Sequence, residues 1–495
     1  MKSYYFTEEH ELFRESFRAF LEKEVRPNID QWEEDRRIPR DVWKKMGEMG
    51  FLGLSYPEEY GGMSLDFFYD VVFNEELGRM NSGGFAITQQ VTQYMSGPYI
   101  LKYGSEELKK KYLPGIISGD LICSIGITEP GAGSDAANIQ TRAVKEGDHY
   151  IVNGSKTFIT NAVYGDFIVT VVKTNPEAGT AGVSLLVIDR QAEGVSARKL
   201  KKLGWHASDT AELSFDNVKV PVENLVGEEG RGFYYLMNGL QLERLVAVPA
   251  CVTGMEWALE TTMQYMSERE AFGRPISKFQ VLRHRIAQMA SEVEGLKAFS
   301  YHCCRLYADN VYDVKLCSMA KLLATEMAEK ISTQCLQMFG GYGFMEEYPL
   351  ARMYRDVRVG TIGGGSSEIM REIIAKIVID DVGYQKAERN GVKAAAQMDQ
   401  GKFLEQMQIK AASASPIGHS LKFDFGDQKV LIDGTLHTNV VSFDDKPADC
   451  TITVSKEDFM ALTSGQLNPM SAVMSGKVKI DGDMSVAMKL QTLFA

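Results

Sequence analysis

Residues 127–135 read Ile-Thr-Glu-Pro-Gly-Ala-Gly-Ser-Asp, which places two hydroxyls, two acids and two glycines within nine positions. Pro130 fixes one backbone angle and stops the strand before it. Gly131 and Gly133 let the main chain turn sharply and approach a ligand closely. Thr128 and Ser134 supply short donors for a polar ring or a phosphate. Alone, such a turn is an ordinary surface loop; its meaning depends on its companions.

Three further segments carry chemistry-bearing groups. In Lys156-Thr157-Phe158-Ile159-Thr160 an aromatic ring and a hydroxyl stand two apart, on one face of a strand. They suit stacking on and bonding to a flat ring, or simple packing. Gln337-Met338-Phe339-Gly340-Gly341-Tyr342-Gly343 reads as a helix end with its turn. Gly360-Thr361-Ile362-Gly363-Gly364-Gly365-Ser366-Ser367-Glu368 is a glycine-rich loop with a hydroxyl cap before a helix over 368–379, and free N–H groups at such a terminus bind anions. Glu243 stands out for another reason. As a helix, Leu236, Leu240, Glu243 and Ala247 share one face, so a carboxylate interrupts an apolar stripe. Either it forms a buried ion pair with Arg244 or Arg269, or it is a general base whose pKa its apolar setting raises.

The elements that position these groups follow from texture. Residues 1–120 have helical spacing, with Phe13, Phe17, Phe20 and Leu21 on one face, a break at Pro57 and Gly61-Gly62, and helices resuming near 66. Residues 121–230 form a β-domain, with strands at Tyr150–Val152, Asp166–Val172, Val183–Ile188 and Ala211–Phe215, separated by turns at Asn153-Gly154 and Gly179–Gly182. Long helices return over 231–380; Val252, Met255 and Leu259 keep the period. Residues 381–400 are a polar linker. A small α+β unit follows over 401–495, with strands at Leu421–Phe425, Val430–Ile432 and Cys450–Val454 and a helix over 456–464.

The chain has 495 residues and a net charge of −12, without a strongly basic tract, which disfavours nucleic acid as a partner. Lys109–Lys111 is a solvated helix face. The seven cysteines are scattered and show no zinc spacing, so no metal is expected and a reducing, cytoplasmic compartment is. No secretory signal or transmembrane segment is expected.

Together the segments 127–135, 156–160, 203–224 (LGWHASDTAELSFDNVKVPVEN), 268–280 (EREAFGRPISKFQ), 337–355 and 362–371 resemble the acyl-CoA dehydrogenase family over about residues 5–380. The resemblance implies a multidomain α+β protein, with an N-terminal helical domain, a middle β-domain and a C-terminal four-helix bundle. It implies FAD between the last two. Ile125, Ile127, Thr128 and Ser134 would contact flavin and phosphate. Phe158 would lie against the isoalloxazine ring, with Thr160 bonding near N5. Arg269, Gln280, Gln337, Gly340 and Gly341 would contact the FAD of a neighbouring subunit. Ser366 and Glu368 would touch the adenosine half. A homodimer or homotetramer follows. Ser134, Gln241, Arg244 and Gly365 are the implied substrate contacts.

One departure is informative. Many family members carry the catalytic glutamate in the loop, at the position of Gly364. The long-chain and isovaleryl branches carry it on a helix, as in Leu242-Glu243-Arg244 here. The resemblance then implies Glu243 as the base that takes the α-proton of an acyl-CoA thioester while the β-hydrogen leaves as hydride to flavin N5. By the same resemblance the thioester oxygen would be held by a ribityl hydroxyl and by the N–H of Gly364, and one such donor is worth about 3–4 kcal/mol. The expected product is the trans-2-enoyl-CoA. The expected setting is medium- or long-chain substrates in fatty-acid β-oxidation or related lipid catabolism, with electron-transferring flavoprotein as acceptor. An acyl-CoA oxidase using dioxygen and a non-catalytic lipid-binding protein are the alternatives.

Residues 463–493 resemble the sterol-carrier-protein-like domain, through Gly465-Gln466-Leu467-Asn468-Pro469 and a strand beginning in Ser475–Ile480. That family encloses an apolar tunnel for acyl chains. Met460, Met470, Met474, Met484 and Met488 could line it, or be plain core. A flexible linker of about 20 residues would reach roughly 25 Å and raise the local substrate concentration.

Overall fold

The structure, a computed structural model, describes residues 4–311 and 313–380, and in the C-terminal part 418–426, 429–435, 439–442, 444–455, 458, 459, 478–483 and 486. The chain forms two compact units, 1–379 and 380–495.

The first unit begins with helices. The Glu8–Phe20 helix is capped by Thr7, which accepts from the His10 amide, and buries Phe17 and Phe20 as their spacing predicts. The Phe67–Arg79 helix is buried along most of its length. The Gly97–Tyr103 helix follows a stretch of wider helical turns over Val91–Ser96.

A seven-stranded sheet comes next, with strands β1 (Cys123–Gly126), β2 (Arg142–Glu146), β3 (His149–Thr160), β4 (Phe167–Lys173), β5 (Val183–Asp189), β6 (Val195–Lys199) and β7 (Thr210–Pro221). Its order is β1-β4-β2-β3-β7-β6, with β5 also paired to β4. The central strand β4 is buried on both faces from Phe167 to Val172, which is why it reads as a continuous apolar run. The expected turn at Asn153-Gly154 is not a turn. Both residues lie inside β3, where the pairing with β7 slips between Val152 and Gly154 and again between Lys156 and Ile159. Asn-Gly marks a bulge here, because Gly154 must leave room for Thr141, whose Oγ1 would lie 2.5 Å from a Cβ.

A 37-residue helix, Gly232–Glu268, then runs through the unit. It packs against the Phe67–Arg79 helix and against the Gln280–Ala308 and Val314–Met338 helices. At the first contact Gly78 lets the backbones meet, since a Cβ there would lie 2.3 Å from the Ala250 oxygen. Thr253 Oγ1 donates to the Glu75 carbonyl at 2.7 Å across the same crossing. The Ser367–Ala375 helix packs on the Val314–Met338 helix.

Asp356, buried on the Pro349–Val357 helix, ties three segments together. It accepts from the Trp205 amide at 2.6 Å and from the Gly83 amide at 3.0 Å. Burial pushes its carboxyl up to about 7.

In the second unit a five-stranded sheet has the order β10-β9-β8-β11-β12, where β8 is Ser420–Asp424, β9 Lys429–Asp433, β10 Val440–Ser442, β11 Cys450–Val454 and β12 Val478–Gly482. Among these described strands only β8 and β11 pair in parallel. Leu421, Phe423, Val430, Ile432, Ile452 and Phe459 build its core. The proposed linker, the five tunnel methionines, the 465–469 turn and most of the 456–464 helix lie outside the described residues.

Asp356→Asn should lower thermal stability by about 1–3 kcal/mol, because an amide presents a second donor to one of the two N–H groups. A melting temperature equal to wild type would show that this carboxylate does not hold the segments together.

Candidate active site

The loop 127–135 is built around an ion pair that faces inward. Lys156 is fully buried in β3, and its ammonium donates to Glu129 at 2.8 Å and to the Ile127 carbonyl at 3.0 Å. The other Glu129 contacts are the Gln140 amide at 2.5 Å and the Thr141 amide at 3.0 Å. Burial pulls the Lys156 ammonium down to about 8, against the opposing attraction of Glu129. Of the loop's two acids, then, Glu129 belongs to the scaffold. Pro130 and Gly131 sit between Glu129 and Ala132, which exchange main-chain hydrogen bonds at 3.0 and 3.1 Å. Gly131, Gly133 and Ser134 are left exposed.

The second slip in β3 turns Phe158 outward. Its φ is +62°, which is unfavourable for a bulky residue by about 1–3 kcal/mol. Its ring is 69% exposed, while Thr157 and Ile159 on either side are buried. Strict strand alternation therefore does not describe 156–160. The Thr157 amide donates to the Thr128 carbonyl at 2.8 Å and joins this bulge to the loop. Ile125, Ile127, Thr128 and Thr160 are half-buried on the neighbouring backbone.

Glu243 lies inside the Gly232–Glu268 helix, 8% exposed. Its partner is Tyr99, whose hydroxyl donates to Oε1 at 3.1 Å. Burial raises the carboxyl to about 7; the Tyr99 bond and the charge of Arg244 pull the other way. Among the described residues no lysine or arginine forms an ion pair with it. Arg244 turns instead to the Gly364 carbonyl, with Nε at 3.4 Å. Arg269 is excluded as a partner by length: it lies 26 residues further along the chain, about 39 Å at helical rise. Gln241 is buried, and its Oε1 has no partner among the described residues.

The glycine loop is gripped through its main chain. Besides Arg244 on Gly364, Lys321 Nζ donates to the Gly365 carbonyl at 2.6 Å. Burial lowers the Lys321 ammonium to about 8. Gly364 and Gly365 have φ of +64° and +95°, values that favour glycine, and the space beside Gly364 is open. Ser366 caps the next helix by accepting from the Ile369 amide at 3.4 Å. Ser366 and Glu368 line an open cavity of about 580 Å³ together with Glu326, Lys330 and Arg358.

Arg269, Gln280, Gln337, Gly340 and Gly341 are all exposed. Tyr265 stacks on Phe339 at 4.1 Å and joins the ends of two long helices there. Arg269 lies over the Tyr342 ring at 5.7 Å. This patch stands a helix length away from Glu243. Tyr99, Lys321 and the Lys156–Glu129 pair carry no sequence motif of their own; Lys156 and Glu129 lie in quoted motifs, but nothing in those motifs sets their ion pair apart.

An outward, strained aromatic ring beside an open glycine turn suits a large flat cofactor with a phosphate tail, so these residues fit FAD. No group of acidic, histidine or cysteine side chains among the described residues could hold a metal. No helix among them is long and apolar enough to cross a membrane.

Family comparison matches residues 7–120, 124–218 and 230–379 to the N-terminal, middle and C-terminal domains of acyl-CoA dehydrogenases, and residues 388–495 to the SCP-2 sterol transfer family. The long-chain specific acyl-CoA dehydrogenase, mitochondrial, of Sus scrofa is 39% identical over 381 residues, 76% of this chain and 88% of that protein. The crystal structure of acyl-CoA dehydrogenase from Geobacillus kaustophilus superposes with a TM-score of 0.75 at 48% identity, covering 76% of this chain and all of the other. A chain from the structure described as electron transferring flavoprotein of Acidaminococcus fermentans gives 0.74 at 36% identity, over 76% and 99% of the two chains. With its helical, β and helical parts in this order, and a sterol-transfer-type domain after them, the chain belongs to the acyl-CoA dehydrogenase family of oxidoreductases.

Proposed function

We propose that this chain removes the α- and β-hydrogens of medium- to long-chain acyl-CoA thioesters, with Glu243 as the proton acceptor and FAD as the cofactor. The observation that carries this is a buried carboxyl, raised to about 7, with no ion-pair partner among the described residues and next in sequence to Arg244, whose Nε reaches the Gly364 carbonyl. A base near the working pH combines ionisation with useful basicity. Its apolar surroundings do what an aqueous carboxylate cannot, by withholding water from the charge.

The loop's part is different. The carbonyls of Gly364 and Gly365 are held by Arg244 and Lys321, which fixes the two peptide planes that follow Gly364 and anchors the loop. The Gly364 N–H, in the plane just before them, is the donor for developing negative charge on the thioester oxygen. Gln241, with its free amide oxygen, is a further polar group for the substrate. When bound, FAD supplies the hydride acceptor. Phe158, Thr160, Thr128 and Ser134 orient it, and Ser366 and Glu368 hold its far end. The Arg269–Gln337 patch, too remote to serve its own Glu243, completes the site of a second copy, so the working form is a dimer or tetramer. Electrons leave to an electron-transferring flavoprotein; the likeness to a chain from a structure described as an electron transferring flavoprotein supports this. Seven scattered cysteines without zinc spacing fit a reducing compartment such as the cytoplasm. The C-terminal unit holds or delivers acyl groups.

Glu243→Gln should keep the flavin spectrum and lose at least a hundredfold in the rate of flavin bleaching by acyl-CoA. Retention of most of that rate would remove Glu243 as the base. Lys156→Met should weaken FAD retention on gel filtration, since it leaves Glu129 buried without its cation; full retention would detach the ion pair from the site. Truncation at 385 should raise the apparent KM for long acyl chains and not for short ones. An unchanged chain-length profile would give the second unit another role.

A further inference from the structure

Tyr99 lies on the Gly97–Tyr103 helix, one element away from the proposed base. Its ring reaches Glu243 only because position 239, one turn earlier on the long helix, is glycine. A Cβ at Gly239 would stand 2.1 Å from the Tyr99 hydroxyl oxygen. Glycine in a helix interior costs about 0.5–1 kcal/mol relative to alanine, so the slot is bought with helix stability. The hydroxyl has one other acceptor, the Leu236 carbonyl, at the longer distance of 3.4 Å.

We propose that Tyr99 is a positioning residue, which holds Oε1 of Glu243 so that Oε2 is presented to the α-carbon of the bound thioester. This rests on the reading of Glu243 as proton acceptor. A carboxylate turns about its last torsion through a broad, two-fold well, and a single directional donor on one oxygen selects the orientation. Tyr99 is itself buried beside Glu243, which raises its hydroxyl well above the usual range. It therefore stays protonated and remains a donor. The charged and titratable groups that face Glu243 are few. Tyr99 comes from the Gly97–Tyr103 helix and Arg244 from its own helix. Behind Tyr99, Tyr103 stacks on Tyr235 at 4.0 Å. Behind Arg244 stand Cys317 and Lys321. Among the described residues Tyr99 is the one neighbour with a hydrogen bond to the carboxyl.

The sign of the effect follows from that bond. The hydroxyl stabilises the charged carboxylate, so its loss raises the Glu243 pKa above about 7 and moves the acid limb of flavin reduction to higher pH. The test uses FAD-loaded enzyme in four forms: wild type, Tyr99→Phe, Gly239→Ala and Glu243→Gln. Two quantities are followed against pH. One is the flavin-bleaching rate with the straight-chain acyl-CoA that wild type bleaches fastest. The other is the infrared band of the protonated Glu243 carboxyl, recognised by its absence in Glu243→Gln. Tyr99→Phe should move both midpoints up by about one pH unit, roughly a tenfold loss of rate on the acid limb. Gly239→Ala, which keeps the tyrosine ring and displaces its hydroxyl, should move them in the same direction. It carries the test alone if Tyr99→Phe does not fold. An unshifted infrared midpoint in either folded variant overturns the proposal. Normal bleaching by Glu243→Gln would instead overturn the base, and the infrared titration would still report whether Tyr99 governs that carboxyl.

Discussion

A carboxyl group on the inward side of a 37-residue helix, without an ion-pair partner among the described residues, is the constraint to which the rest of the first unit answers. Bringing an acid out of water is unfavourable unless it is paired or protonated. Here neither arginine considered for it is in place: Arg244 is turned to the Gly364 carbonyl and Arg269 is a helix length away. The neighbouring elements are fitted to that helix by removing side chains. Gly78 admits the crossing helix and Gly239 admits a tyrosine hydroxyl. The same helix thus carries the acid, the contact between the helical layers, and at its far end the exposed patch read as the contribution to a second copy.

The β-part contributes through irregularity. A regular strand over 149–160 would bury or expose its residues by turns. The two slips against β7 instead leave Lys156 and Thr157 buried and push Phe158 out. The ammonium that the slip turns inward then organises the loop 127–135 by clasping Glu129. Strain at Phe158 and the buried ion pair are therefore one arrangement: the first presents a ring and the second fixes the turn beside it.

Much of this was legible in residue patterns. The apolar run of β4, the period of the Glu8–Phe20 helix and the carboxylate interrupting the 236–247 stripe are direct readings of side-chain spacing. Asn153-Gly154 misled because an Asn-Gly pair serves a bulge as well as a hairpin, and only the partner strand decides which. Tyr99 was invisible because a tyrosine in Gly-Pro-Tyr-Ile-Leu looks like core, and its role depends on a glycine 140 positions later. Lys321 was hidden for a similar reason. Its target is a main-chain oxygen, which leaves no trace in the sequence.

The two cations on the Gly364 and Gly365 carbonyls have a consequence for how this family can vary. Where one loop bears both the acid and the N–H donor, any displacement of the loop disturbs proton removal and charge stabilisation together. On the reading proposed for this chain the two duties sit on separate elements, joined by Arg244, which neighbours the acid in sequence and holds the loop in space. Divergent descendants could reshape the glycine segment to admit a bulkier thioester while the proton acceptor stays where it is.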